Sequence, residues 1–82
     1  MGNRDRLIQQ ILSGRSDANV RFDELCGLLK SLGFVLRTSG SHHVFRMEGV
    51  EEKINLQRDG DKAKVYQVRQ VRQFFVKYRI GE

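Results

Sequence analysis

Apolar residues at Leu7, Ile8, Ile11 and Leu12 recur at the three- and four-residue spacing of a helix face, and Ser13-Gly14 closes the run before a polar stretch through Asn19. The pattern restarts at Phe22 and continues through Leu25, Cys26, Leu28, Leu29 and Leu32, which predicts a second helix with one apolar side. Gly33 follows directly and is placed to stop that helix by taking the left-handed conformation. Three short apolar runs come next, residues 34–37, 42–47 and 53–56. Thr38-Ser39-Gly40-Ser41 and a Glu48-Gly49 turn separate them, so they predict an antiparallel meander. After an Arg58-Asp59-Gly60-Asp61 loop, Val68, Val71, Phe74, Phe75 and Tyr78 predict a last helix lying on the sheet.

The expected fold class is therefore α+β, a three-stranded antiparallel sheet with helices packed on one face, in the order ααβββα and without an internal repeat. Strand alternation puts Phe34, Leu36, Phe45, Met47, Ile54 and Leu56 on the core face, with His43 at its rim. The opposite face then carries Val35, Arg37, His42, Val44, Arg46, Lys53 and Asn55, three cations and a histidine on the uncovered side. Arg69, Arg72 and Arg79 form a further stripe along the flank of the last helix.

Composition narrows what such a domain can do. With 82 residues the chain makes one domain, and at this size only about 60% of the unfolded chain's surface can be buried, so an active site should be shallow. Fifteen Lys and Arg against ten Asp and Glu leave a net charge of +5, which favours a polyanionic partner where the charge gathers on one face. The single cysteine, Cys26, has no internal disulfide partner and is expected to fill the core of a cytoplasmic protein. No run approaches the ~20 apolar residues of a membrane span, so no membrane association is expected.

Proton transfer near neutral pH calls for histidine, whose ordinary pKa is about 6.5, and the chain has two, His42 and His43, directly after Gly40-Ser41. Neighbouring strand residues point to opposite faces, so one imidazole is expected to act largely alone rather than the two as an acid and base pair. His42 is the first choice because its predicted face is open and holds Arg37, Arg46 and Lys53, suited to binding a phosphodiester. The plain alternative is a polar strand-edge His42 and a half-buried structural His43. Lys62-Ala63-Lys64, at the start of the last helix, reads either as a phosphate-holding element or as a solvated turn. The arginine stripe reads equally as a solubilising face or a protein contact. No carboxylate cluster, His-x-x-x-His pair or CxxC element has metal-ligand spacing, and Asp59 with Asp61 falls short of a calcium loop, so no metal or other cofactor is expected. Nucleotide-binding and acyl-transfer motifs are likewise missing from the sequence.

From Phe22 onward, about three quarters of its length, the chain resembles the HicA toxins of bacterial and archaeal toxin–antitoxin pairs. The resemblance lies in Phe-Asp-Glu-Leu, in Leu28-Leu29-Lys30-Ser31-Leu32-Gly33-Phe34 and in Gly40-Ser41-His42-His43-Val44-Phe45-Arg46, followed by a strand and a closing helix. It implies a fold like the double-stranded-RNA-binding domain, cleavage of mRNA by a strand histidine without a metal, a block of translation, and neutralisation by a HicB-type antitoxin. The histidine directly after Gly-Ser, the family's usual active-site residue, matches His42; some members carry it one position later, which corresponds to His43. Ser41, Arg37, Arg46, Lys53, Lys62 and Lys64 are the expected RNA contacts. The chain departs from the family in lacking a Pro-rich or Gly-rich basic segment before the last helix. It also carries an extra N-terminal helix, residues 1–15, ahead of a core at 20–82, placed to serve as a lid or an oligomer contact. Two further readings stand beside this one: a non-catalytic module that binds double-stranded RNA, and a protein-interaction domain whose partner covers the arginine stripe.

Overall fold

The structure, a computed structural model, describes residues 2–81. Its elements are α1 (Asn3–Ser13), a 3-10 turn (Asp17–Asn19), α2 (Phe22–Ser31), β1 (Val35–Ser39), β2 (His42–Arg46), β3 (Ile54–Leu56), β4 (Arg58–Asp59), β5 (Lys62–Ala63) and α3 (Val65–Lys77). It is an α+β protein with three helices and a small antiparallel sheet. The strands β1, β2 and β3 lie side by side in that order, and β4 with β5 makes a separate two-stranded ribbon. The shortest dimension, 21 Å, is that of one helical layer on one sheet.

The second helix ends for a local reason. Gly33 takes φ +103°, its N–H bonds Lys30 O and the next N–H, of Phe34, bonds Leu29 O, so the last carbonyls of α2 are satisfied and the chain turns into β1. At the other hairpin point Gly40, at φ +60°, stands first in the two-residue loop between Ser39 and His42, where the required backbone twist suits glycine.

The register explains the core. Leu36, Phe45 and Ile54 lie opposite one another, as do Thr38, His43 and Leu56, and residues directly opposite share a face. Phe45 and Leu56 are fully buried under the helices with Phe22, Leu25, Leu29, Val68, Val71 and Phe75, whereas Val35 on the other face is 63% exposed. The predicted division of the sheet into a core face and an open face therefore holds. Phe34 precedes β1 and still reaches the core, its ring edge-on to Phe74 with centroids 5.2 Å apart.

Four expectations change. Residues 58–61 do not form a simple loop, because Arg58 and Asp59 pair with Ala63 and Lys62 across a Gly60-Asp61 turn. Lys53 precedes β3 rather than belonging to it. Tyr78 lies past the end of α3 and is 38% exposed, its hydroxyl donating to Glu52. Finally, α1 is no detachable lid: Leu7, Ile8 and Ile11 are buried in the same hydrophobic cluster as the sheet, and α1 packs on α3. Arg72 binds that junction, donating from Nε to the Ile11 carbonyl (2.8 Å) and pairing with Asp17. The arginine stripe is thus divided, with Arg72 holding the fold and Arg69 and Arg79 exposed.

Candidate functional site

The β1–β2 hairpin delivers both histidines to the end of the sheet that lies beside the N-terminus of α2 and the β4–β5 ribbon. The ribbon is held there by backbone bonds from Ala63 N to Val20 O (2.9 Å) and from Phe22 N to Asp61 O (3.0 Å). His43 points to the core side, half-buried, its ring edge-on to Phe22 with centroids 4.9 Å apart and its Nδ1 3.4 Å from the Ser41 carbonyl. The Arg58 guanidinium also meets Phe22, 4.6 Å from the ring centroid, and its Nη2 donates to Asp23 Oδ1 at 2.6 Å. Phe22 is itself 1% exposed, so one immobile ring orients both groups.

Gln57 links the two histidines' surroundings. Its Nε2 sits 3.2 and 3.3 Å from the two ring nitrogens of the exposed His42, and its Oε1 accepts from Lys64 Nζ at 3.2 Å. Its backbone N–H donates to the side-chain oxygen of Gln67, a buried residue of α3, at 2.8 Å. A buried amide thereby fixes where the half-buried one stands. Lys64 is the residue immediately before α3, with extended backbone, so its ammonium reaches back toward the sheet.

These contacts enclose an open depression of about 260 Å³ lined by Ser41, His43, Gln57, Arg58 and Lys64. An imidazole, a guanidinium and an ammonium around a shallow recess can hold an oxyanion and exchange a proton with a neighbouring hydroxyl.

Of the residues expected from the sequence, the recess gathers Ser41, His43 and Lys64, with His42 joined through Gln57. It does not gather the expected phosphate clamp of the open face. Arg46 is four residues along β2 from His42, roughly 13 Å at the ~3.3 Å rise of a strand, and Arg37 stands opposite Val44. Both instead line a second depression, of about 470 Å³, with Val35, Val44 and the 47–50 turn. Lys53, exposed ahead of β3, is on that side as well, beyond Ile54. Lys62 is half-buried, opposite Asp59 and bridged to Arg21.

Gln57 and Arg58 were not legible as site residues. The Gly60-Asp61 pair, a two-residue hairpin signal, could have revealed the ribbon that carries Arg58. Cys26 is buried, and burial, reinforced by the Asp23 charge, pushes its thiol pKa up, as befits an inert core residue. Among the described residues no three His, Cys, Asp or Glu side chains cluster as metal ligands, and no helix is long and apolar enough to cross a membrane. In comparisons with known proteins, no family model, no curated protein and no solved structure matches this chain.

Proposed function

We propose that this protein is a metal-independent endoribonuclease, the toxin of a cytoplasmic toxin–antitoxin pair of the HicA kind, on a fold like the double-stranded-RNA-binding domain. Its substrate is mRNA and its neutralising partner a HicB-type antitoxin. The observation that carries the reading is the half-buried His43 in an open recess shared with Arg58 and Lys64. A shallow cationic recess suits one phosphodiester of a flexible polymer whose bases lie outside it.

In the proposed reaction His43 accepts the proton of a ribose 2′-hydroxyl as that oxygen bonds to the adjacent phosphorus. The bond from phosphorus to the 5′-oxygen breaks, the 5′-oxygen takes a proton from water, and a 2′,3′-cyclic phosphate remains. Lys64 offsets the charge that grows on the phosphoryl oxygens. His42, first choice on sequence grounds, takes a place at the rim beyond Gln57.

The test is induced expression of wild type, His43→Ala and His42→Ala, with growth followed and total RNA inspected. Wild type should arrest growth and fragment mRNA. His43→Ala should lower cleavage by about 10²–10⁴-fold, the range for removing one acid–base group, with a smaller loss for His42→Ala. The reverse order returns the proton transfer to His42, and full activity in both variants refutes the mechanism.

The second reading, a non-catalytic module for double-stranded RNA, is favoured by Lys62 and Lys64 directly ahead of α3, where lysines can hold phosphates of a duplex. Purified wild type that binds duplex RNA in a salt-sensitive way and cuts no RNA selects it.

A further inference from the structure

Arg58 makes two contacts of different kinds. Its guanidinium carbon lies 4.6 Å from the Phe22 ring centroid, and its Nη2 donates to Asp23, the one acceptor within hydrogen-bond distance among the described residues. A guanidinium has five N–H donors in a planar fork that matches a phosphate at least as well as a carboxylate. Arg58 also lines the recess, and its contact with the buried Phe22 ring holds the guanidinium beside it.

Asp23 is easily displaced for two reasons. Its side chain is 74% exposed and that of Arg58 50% exposed, so exchanging one anion for another leaves no buried charge behind. It also sits in the first turn of α2, where the helix dipole favours a carboxylate whether or not it has a cationic partner.

We infer that Arg58 is a phosphate-binding residue of this recess and that Asp23 is a built-in competitor, occupying Arg58 until an RNA phosphate displaces it. This rests on the reading of the recess as an RNA site. The protein therefore binds RNA more weakly than its cations alone would allow, and the 2.6 Å ion pair sets that threshold.

The test is the affinity of a short 2′-O-methyl oligoribonucleotide, which has no 2′-hydroxyl to react, for wild type, Asp23→Asn, Arg58→Ala and the double variant. Glu24→Gln serves as the control, removing the same charge one residue along α2. Asp23→Asn should tighten binding about two- to fivefold, the scale of an exposed ion pair, and Glu24→Gln distinctly less. Arg58→Ala should weaken binding and make the slope of log affinity against log salt shallower by about 0.7–0.9. In the Arg58→Ala background the Asp23 substitution should do no more than Glu24→Gln does. If its gain survives there, or if Glu24→Gln matches it, Asp23 acts only through net charge and the inference fails while the recess keeps its RNA. If wild type binds no RNA at low salt, the functional reading falls and the inference with it.

Discussion

Two arginine–aspartate pairs of this protein sit in different surroundings. Arg72 and Asp17, with side chains 23% and 13% exposed, lie between α1 and α3, where Arg72 also caps the Ile11 carbonyl. Arg58, 50% exposed, lines the recess with His43, and its partner Asp23 is 74% exposed. The chemistry of the pairs is the same, and burial separates their roles. A pair withdrawn from water cannot lose a partner without stranding a charge, whereas an exposed pair can exchange its anion at little cost. The first is a fastening and the second is fit for a ligand.

Breaking the fastening should have the largest effect on stability. Arg72→Ala leaves Asp17 with only the more distant Arg69, at 3.9 Å, and the Ile11 carbonyl without its side-chain donor. A loss of about 2–3 kcal/mol is expected, read as a fall in Tm on the order of 10–20 °C. A change within a few degrees would show that the junction is held by apolar packing alone.

Arg58→Ala should cost less than about 1 kcal/mol, because its pair is exposed, so its Tm should stay within a few degrees of wild type while RNA affinity drops. Thermal unfolding of both arginine variants side by side tests the comparison directly. Equal losses would mean that burial does not divide the two pairs.

A third charged contact sharpens the comparison from its weak end. Lys77 Nζ donates to Glu52 at 2.7 Å and the Tyr78 hydroxyl at 2.9 Å, fastening the segment before β3 to the end of α3. The hydrogen bond from Lys77 first, and then that from Tyr78, holds the Glu52 carboxyl below its ordinary pKa of 4.5. Because the folded value lies below the unfolded one, the contact stabilises the fold above the ordinary value, and that contribution disappears as pH falls through the lowered one. Glu52→Gln should therefore lower Tm slightly near neutrality and converge with wild type at acid pH, so that its decline of Tm with acid is slightly shallower. An identical acid decline in both proteins would mean that the contact contributes nothing in solution.

Much of the fold was legible because its signals are periodic and local. The stripes from Leu7 and from Phe22, the termination at Gly33, and the alternation that buries Phe45, Ile54 and Leu56 each involve residues within one element. The β4–β5 ribbon escaped notice because each strand is two residues long, too short for an alternating pattern to register. The site was legible only in part. Gly40-Ser41 and the two histidines announced themselves, but the contacts of the site join distant points of the chain: Gln57 is 15 residues from His42, and Asp23 is 35 from Arg58.

By itself the sequence determined three amphipathic helices, a meander with one apolar face, an excess of positive charge and a hairpin carrying adjacent histidines. Those properties follow from side-chain periodicity and backbone preference, which act over a few residues. Tertiary structure alone decided which cations would be neutralised and which would face a recess. Arg37, Arg46, Arg58 and Arg72 are equivalent as letters. They part company only when packing half-buries Arg72 between helices, strings Arg37 and Arg46 along an open sheet, and brings Arg58 against the same Phe22 ring that His43 meets. An ion's role depends on its solvent and its neighbours, and both are fixed by contacts between elements far apart in the chain.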